Sequence, residues 1–339
     1  MENINKLIEM LPEGYEKAAK KTGAFKRKRE IETVADLLKL VFMYIAHGLS
    51  HLEMSVTAKM KGIADISDVA FMKRFGKCGK LIEWLLENLR PQATAHYKKP
   101  TKFEKYDIKA LDASVVTSGG KFRITHRLHY AIDIFRLRSD QYKITAQKIG
   151  ESLTNFIVKA SDLFIGDRAY GTKTSMEHCL ASKGNFIFRI RKNAFNIYDK
   201  KGGKIDLIEK LKRVKKNKTL KLNCFFLSSA DQYVPVRICA MIKPKDVEEN
   251  PEDDTDFMNN FIVLVTSILD NHISAEDILE LYRLRWQVEL YFKRLKSLMG
   301  FGDVPNKTEA HIKIWLNAKL AVAVMLEIMT AQVDFSSSG

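Results

Sequence analysis

The stretch YRLRWQVELYFKRLK, residues 282–296, constrains the fold of this chain more than any other segment. On a helix at about 100° per residue, its apolar side chains gather on one face, as in a stripe that packs against a core. Four polar residues fall together on the flank beside that face: Tyr282, Arg285, Glu289 and Lys296. Trp286 lies next to them on the polar side. The stretch therefore predicts one packed helix with an acid, two bases and a phenol along its edge.

A solvated helix flank is one interpretation of these residues, because Arg285 and Glu289 are spaced for an ion pair worth roughly a few tenths of a kcal/mol. The spacing Y-x2-R-x3-E-x6-K, however, resembles the signature of the DDE transposases of insertion sequences, the family called insertion sequence four. This resemblance implies that Glu289 is the third carboxylate of a metal site. The other two acids must then lie upstream.

Two upstream aspartates are each predicted to follow a buried strand. YDIKALDA indicates a strand ending in Asp112, and LFIGDRAYG indicates a short strand ending at Asp167. A lone aspartate in this position is commonly a turn former or a helix N-cap. LDAS and GDRAYG resemble the family's first-Asp and D-R-G-Y motifs, with Ala113 and Ala169 where glycine is common. The resemblance implies a catalytic and metal-binding set of three acids: Asp112, Asp167 and Glu289.

The fold class that these motifs predict is α/β, with a ribonuclease-H-like catalytic core. Between the two aspartates, LHYAIDIF and DQYKITAQK are predicted to be the other strands of a meander, and residues 151–160 a helix. In a ribonuclease-H-like core the first and fourth strands are adjacent, and this arrangement would bring Asp112 and Asp167 together. A later helix would bring Glu289 to them across the sheet edge.

The pattern divides the chain into an N-terminal all-α domain, a core in two parts and an insertion. Residues 1–98 are predicted to be helical, the core to occupy 99–184 and 261–335, and a β-rich insertion to occupy 185–260. Three strands are predicted within the insertion: 185–190, 219–227 and 234–242. The apolar segment 312–329 contains Lys313, Lys319 and Glu327, which favours a buried helix over a membrane span.

The charge of the chain predicts a polyanionic partner. The 339 residues carry a formal net charge of +15, and the basic residues recur along the whole length, which favours nucleic acid over membrane. SHLEMSVTAKMKGIADISDVAFMKRFGK predicts a helix, a break at Gly62 and a second helix capped by Ser67. This pair is compatible with a DNA-binding helix-turn-helix whose second helix carries Lys73 and Arg74, or with a helical hairpin that binds nothing.

The predicted chemistry is DNA strand cleavage and strand transfer. Three carboxylates without His or Cys suit two Mg²⁺ ions, with Mn²⁺ as a substitute. Two ions about 4 Å apart activate water or a DNA 3′-hydroxyl and stabilise the leaving oxygen. The resemblance implies that Tyr282, Arg285 and Lys296 hold terminal phosphates, and Arg168 is also predicted to bind DNA phosphate. The resemblance also implies that Trp286 stacks on a flipped base, in a cut-and-paste reaction through a hairpin end.

The remaining expectations concern partners and compartment. The partners are the terminal inverted repeats and target DNA, bound by a homodimer, and Arg127 is predicted to contact DNA phosphate. Four scattered cysteines and a charged, amphipathic opening segment favour a reducing cytoplasm. The resemblance to insertion-sequence transposases implies a bacterial or archaeal cell and a place near the nucleoid. Two alternatives stay open: a structure-selective nuclease of the same fold, and a DNA-binding protein derived from a transposase without catalysis.

Overall fold

The computed structural model describes residues 2–89, 99–117, 125–135, 138–243, 253–286 and 309–336. In this part of the chain the strands are β1 (Asp107–Thr117), β2 (Thr125–Asp133), β3 (Arg138–Ala146), β4 (Asp162–Gly166), β5 (Asn185–Arg189), β6 (Ile197–Tyr198), β7 (Thr219–Leu227), β8 (Tyr233–Ile242) and β9 (Phe261–Thr266). They form one mixed sheet in the order β3-β2-β1-β4-β5-β9-β8-β7-β6.

The described helices are α1 (Glu2–Glu9), α2 (Tyr15–Thr22), α3 (Val34–His47), α4 (His51–Met60), α5 (Asp68–Phe75), α6 (Gly79–Leu89), α7 (Lys173–Ala181), α8 (Leu207–Lys212), α9 (Asp254–Asn259), α10 (Ala275–Arg283) and α11 (Glu309–Ser336). Among them, none has the length and apolar character that a membrane crossing requires. The predicted pair of N-terminal helices is confirmed: Ser67 caps α5 by accepting the N–H of Ala70, and Gly62 lies between the pair at φ 64°.

The first five strands have the connections of an α/β core. β1, β2 and β3 form the predicted antiparallel meander. β4 then returns parallel to β1, and β5 lies parallel to β4. The mixed α/β architecture with its large sheet is consistent with a ribonuclease-H-like fold, as the sequence predicted.

Two predicted elements are wrong in extent or type. β1 does not end at Asp112 but continues to Thr117, because β2 pairs with it along this whole length. The helix predicted over residues 151–160 is absent, and a short 3-10 turn at Leu153–Asn155 takes its place. Polar side chains explain the second difference: the Ser152 hydroxyl accepts the N–H of Thr154, and the Gln141 side chain on β3 bonds the backbone of Ile157.

The segment predicted as a β-rich insertion continues the main sheet. β5, predicted as its first strand, lies between β4 and β9 in the sheet. β9 pairs with β5 and with β8, so the prediction that this strand returns the chain to the main sheet is confirmed. The domain boundaries themselves stay a prediction.

Two hydrophobic cores cover the two faces of the sheet. The first core joins α3, α6, α10 and α11 to one face, and the second joins α7, α8 and α9 to the other. In β1 the alternation of side chains places Ile108 and Ala110 in the first core and Leu111 in the second. α11 is buried along most of its length, with Trp315 fully enclosed, which confirms the predicted buried helix.

The helix predicted over residues 282–296 is interrupted. α10 begins at a capping box in which Ser274 and Asp277 each accept the other's backbone N–H, as the predicted Ser274 cap requires. It ends at Arg283, and Leu284 and Arg285 form a turn. Residues 287–308, which include Glu289 and Lys296, lie outside the described residues. The four polar residues were expected on one continuous helix. This expectation is wrong, because the helix that carries Tyr282 ends before Arg285.

A test of this fold concerns Gly171, in the turn between β4 and α7. A Cβ atom at this position would overlap the backbone carbonyl oxygen of Arg189 on β5. We expect Gly171→Ala to lower the free energy of unfolding by about 1 to 3 kcal/mol, as overpacking does, because backbone must move. Urea unfolding measures this change.

The matched control is Gly150→Ala, since a Cβ there meets nothing within 4 Å. Its stability should stay within about 0.5 kcal/mol of the unmodified protein. Equal stability of both variants would contradict the close approach of the turn to β5.

Candidate active site

Asp112 and Asp167 lie at the same level of two adjacent parallel strands. Ala110 on β1 pairs with Ile165 on β4, and each aspartate lies two residues further along the chain. Adjacent strands are about 4.8 Å apart, so the two carboxylates are neighbours. Alternation along β1 gives the Asp112 side chain the face of Ala110, which belongs to the first core, and Asp167 follows directly after the end of β4. The structure therefore brings together the two predicted aspartates that it describes.

Asp112 is a partly buried carboxylate with two donors. The hydroxyl of Tyr130, its cross-strand partner on β2, donates to Oδ2 at 2.9 Å, and the N–H of Ala113 donates to Oδ1 at 2.8 Å. Burial raises the pKa of Asp112; these donors and the Arg285 guanidinium oppose the rise, while Asp167 adds to it. An ionised Asp112 is therefore a costly group that a cation would stabilise.

Asp167 begins a tight turn. Its Oδ1 accepts the N–H of Ala169 at 2.8 Å, and its backbone carbonyl accepts the N–H of Tyr170 at 3.1 Å. Among the described residues no donor contacts its Oδ2. The turn approaches β5 closely at Gly171, and the Ala169 hydrogen bond orients the Asp167 side chain.

The end of α10 faces these aspartates. Tyr282 is 7% exposed and packs in the first core, so it is not on a polar flank as the sequence predicted. The Arg285 guanidinium lies over its ring, 6.0 Å from the centroid. Burial raises the pKa of Tyr282, Arg285 and Arg189 lower it, and Asp167 raises it further, so all four groups share one electrostatic environment. Trp286 is 52% exposed, which agrees with its predicted place off the core stripe.

A cluster of arginines borders Asp167 on the other side. The Arg168 Nη2 donates to Oδ1 of Asn259 at 2.8 Å, and the Arg189 Nη2 donates to the carbonyl of Phe261 at 3.4 Å. Burial lowers the pKa of Arg168, and the neighbouring charges of Arg189 and Arg191 lower it further. Within the described ranges, none of the three forms an ion pair with a carboxylate. Neutral acceptors orient two of these guanidiniums and leave their charge for an anion such as phosphate.

Three groups near the aspartates have surroundings that the sequence analysis did not predict. Arg127 forms an ion pair with Glu151 at 3.0 Å, because the loop after β3 folds back onto β2, and its predicted contact with DNA phosphate stays a prediction. Burial raises the pKa of Glu151, and the charges of Asp167 and Asp112 raise it further. Arg189 had a detectable signal, since FIFRIR alternates apolar and basic residues at the end of a strand. No sequence signal identifies Glu151, because this residue precedes a segment without regular structure.

The N-terminal basic residues lie in the last turn of α5. Lys73 is exposed, whereas Arg74 contacts its own domain: its Nη2 donates to the carbonyl of Arg27 at 3.3 Å and its guanidinium lies 5.9 Å from the ring centroid of Phe25. Lys73 is therefore the more accessible of the two for a partner.

The carboxylates fit a hard divalent cation. In the described part of the chain, no three His, Cys, Asp or Glu residues are grouped to hold a metal, and the third predicted ligand, Glu289, lies outside it. Asp112 and Asp167 supply oxygen donors without a thiol or imidazole, the donor set that Mg²⁺ and Mn²⁺ prefer. The burial of Asp112 and the uncontacted Oδ2 of Asp167 make both groups ready acceptors of positive charge.

Comparison with known proteins gives the class to which this site belongs. The family described as Transposase DDE domain matches residues 105–326, more than half of the chain, and the chain belongs to this family. It is a DDE transposase, an enzyme that cleaves and transfers DNA strands. DDE domains generally use divalent metal ions, and transposases bind DNA.

Relatives extend the likeness beyond the matched domain. The transposase for insertion sequence element IS421 of Escherichia coli is 26% identical to this chain over 348 residues, covering 96% of this chain and 92% of the relative. InsL of insertion sequence element IS186A, from Escherichia coli strain K12, is 26% identical with the same coverage. The likeness therefore includes the N-terminal helices.

The environment of Asp112 predicts how its charge affects stability. Because its pKa is raised in the folded protein, the folded state holds the proton more tightly, and stability falls as the pH rises from about 4 through the raised pKa. Asp112→Asn removes this ionisation and keeps an oxygen to accept the Tyr130 hydrogen bond. We therefore expect Asp112→Asn, in EDTA, to be more stable than the unmodified protein at pH 7 and equal to it near pH 4.

Urea unfolding at both pH values measures the effect, with Asp231→Asn as the control. Asp231 is exposed, and its left-handed φ of 55° also suits asparagine. A stability gain from Asp112→Asn that is the same at both pH values would show that packing, and not charge, is responsible.

Proposed function

We propose that Asp112, Asp167 and Glu289 hold two Mg²⁺ ions, for which Mn²⁺ can substitute, and that these ions support cleavage at the ends of an insertion sequence. One observation carries the proposal: Asp112 and Asp167 are at the same level of β1 and β4. Two carboxylates placed together by parallel strands, without His or Cys, are a site for hard cations. The similarity to insertion-sequence transposases supports the type of element.

The approach of α10 supports Glu289 as the third acid. Asp112 takes the sheet face on which Tyr282 packs, the Arg285 charge reaches Asp112, and the Asp167 charge reaches Tyr282. Glu289 follows Arg285 by one helical turn in sequence. We infer that residues 282–296 carry the Y-R-E-K signature of the insertion sequence four family and that this segment completes the site.

The other residues of the site bind and orient the DNA. Four residues are proposed to hold phosphates near the scissile bond: Tyr282, Arg285, Lys296 and Arg168. The charge of Arg168, oriented by the neutral Asn259 amide, supports this role. When bound, the metal ions activate the nucleophile and stabilise the leaving oxygen. Tyr130 and the Ala113 and Ala169 backbone amides keep the two carboxylates oriented.

The proposed pathway is cut-and-paste transposition through a hairpin end. A hairpin requires an opened duplex end, and an aromatic side chain that stacks on a flipped base stabilises one by about 1 to 3 kcal/mol. Trp286 supports this step because it is exposed directly beside Arg285. Its exposure without a core contact leaves the indole face for a base.

Assembly on DNA completes the proposal. We infer that α4 and α5 form a DNA-binding unit in which Lys73 and Arg74 contact the terminal inverted repeats. Two copies of the chain would bring the two ends of the element together as a homodimer before transfer to target DNA. The ribonuclease-H-like core, the β-rich insertion and the N-terminal helical domain are then the three functional regions.

The metal site is tested by single alanine variants. Asp112→Ala, Asp167→Ala and Glu289→Ala should each lose divalent-metal-dependent nicking of a duplex with the element's terminal sequence, because a ligand is removed. Binding of the same duplex, measured in EDTA, should stay within about threefold, since the basic DNA-binding surface remains.

Glu104→Ala is the matched control, because Glu104 is an exposed acid just before β1. It should nick at the unmodified rate. Full nicking by any one triad variant would remove that residue from the metal site.

The stacking role is tested by Trp286→Ala. The first nick should be spared, because it needs only metal and phosphate contacts, and hairpin formation should fall about tenfold or more. An end substrate with an abasic position at the flipped base should restore hairpin formation in part, since the cost of unstacking is removed.

Tyr233→Ala provides the comparison, because Tyr233 is an aromatic residue of similar exposure, 51%, on β8. It should form hairpins normally. If Trp286→Ala instead lowers the melting temperature strongly, or if the abasic end gives no rescue, Trp286 does not act by base stacking.

A further inference from the structure

Tyr170 is a fully buried tyrosine whose hydroxyl has no hydrogen-bond partner among the described residues. Its ring packs against Gly166 at the end of β4, where an added Cβ would lie 2.7 Å from the Cβ of Tyr170. The backbone turn from Asp167 places the ring there. Tyr170 is therefore fixed directly behind one of the two catalytic aspartates.

Charged groups act on the Tyr170 hydroxyl. Burial raises the pKa of Tyr170 well above its ordinary value, and the negative charges of Glu151, Asp112 and Asp167 raise it further, against the charge of Arg127. Glu151 is held by its ion pair with Arg127, whose Nε is also buried without a partner. Leu153, two residues after Glu151, belongs to the same core cluster as Tyr170, so the segments that carry the phenol donor and the carboxylate acceptor pack together. The charges of both aspartates reach Tyr170 and Glu151.

A buried hydroxyl without a partner calls for an explanation. Phenylalanine would fill the same space in the second core and would leave no polar atom unsatisfied. A water molecule, in contrast, uses two to four polar partners, and this region offers a donor on Tyr170 and an acceptor on Glu151. A hydroxyl fixed in this way is suited to hold such a water.

We propose that Tyr170 and Glu151 are positioning residues that hold a water molecule for the hydrolytic step: the phenol donates a hydrogen bond to it, and the Glu151 carboxylate accepts one from it. This inference rests on the proposed metal site at Asp112 and Asp167. Arg127 keeps the Glu151 carboxylate in place through the 3.0 Å ion pair. Hydrolytic nicking uses water as its nucleophile, whereas strand transfer uses a DNA 3′-hydroxyl. Loss of this pair should therefore slow nicking far more than strand transfer.

Tyr170→Phe is the first test, because it deletes the hydroxyl and keeps the ring. Its melting temperature in EDTA should equal or exceed that of the unmodified protein, since no internal hydrogen bond is lost. At saturating Mg²⁺ its nicking rate should fall about ten- to hundredfold. Strand transfer from pre-cleaved ends with a 3′-hydroxyl should change less than about threefold. Mn²⁺ affinity, measured by calorimetry, should fall about tenfold, as expected for an outer partner of a metal site.

Two further variants separate positioning from packing. Glu151→Gln should give the same selective loss of nicking, and the Tyr170→Phe/Glu151→Gln double variant should be no slower than either single variant, because both act on one water. Tyr106→Phe is the matched control, since Tyr106 is a buried tyrosine at the opposite end of β1. It should nick and bind Mn²⁺ normally.

Three results would overturn the inference. These are a normal nicking rate in Tyr170→Phe, an equal loss of nicking and strand transfer, and a drop in its metal-free melting temperature, which would reveal an internal partner for the hydroxyl. Failure of the proposed metal site has a different signature, because Asp112→Ala would then nick normally whatever the behaviour of Tyr170→Phe.

Discussion

The parallel pairing of β1 with β4 is the constraint on which the proposed metal site depends. It sets two carboxylates one strand spacing apart, where two full charges repel by about 3 kcal/mol at an effective dielectric constant near 20. The protein offsets part of this repulsion with the Tyr130 hydroxyl, two backbone amides and the Arg285 charge. The repulsion that remains between the two carboxylates favours binding of a cation. Strand pairing alone thus makes the proposed site favourable for a metal ion, even without a ligand from α10 or beyond.

Local signals in the sequence predicted the elements that carry the site. Alternating or continuous apolar runs identified β2, β3, β4 and β9, and side-chain caps identified the starts of α5 and α10, because these features depend on residues close in sequence. The extent of β1 beyond Asp112 was not predicted, since it depends on β2 pairing from the other side. The break after Arg283 was also missed, because the apolar spacing continues through a turn that only the backbone reveals.

The surroundings of the two aspartates could not be predicted for a different reason. Glu151, Arg127 and Tyr170 come from three separate segments, and only the packing of the loop after β3 against β2 and the turn after β4 brings them together. The orientation of the arginines at the ends of β4 and β5 could not be predicted for the same reason. Asn259 and Phe261 orient them from about 70 to 90 positions further along the chain. Motif spacing identifies acids on known elements, but it does not identify the groups that long-range packing adds.

Three energetically unfavourable features of this fold lie near the two aspartates. Asp112 is partly buried, the Tyr170 hydroxyl is unpaired among the described residues, and Arg168 lies beside two like charges. Each of these features destabilises the isolated protein, and each would become favourable on binding of the proposed cation, water molecule or phosphate. Arg168 and Tyr170 lie in the turn that Gly171 lets approach β5 closely. Substitutions that relieve these costs should therefore stabilise the fold and weaken the enzyme, because the same groups serve both.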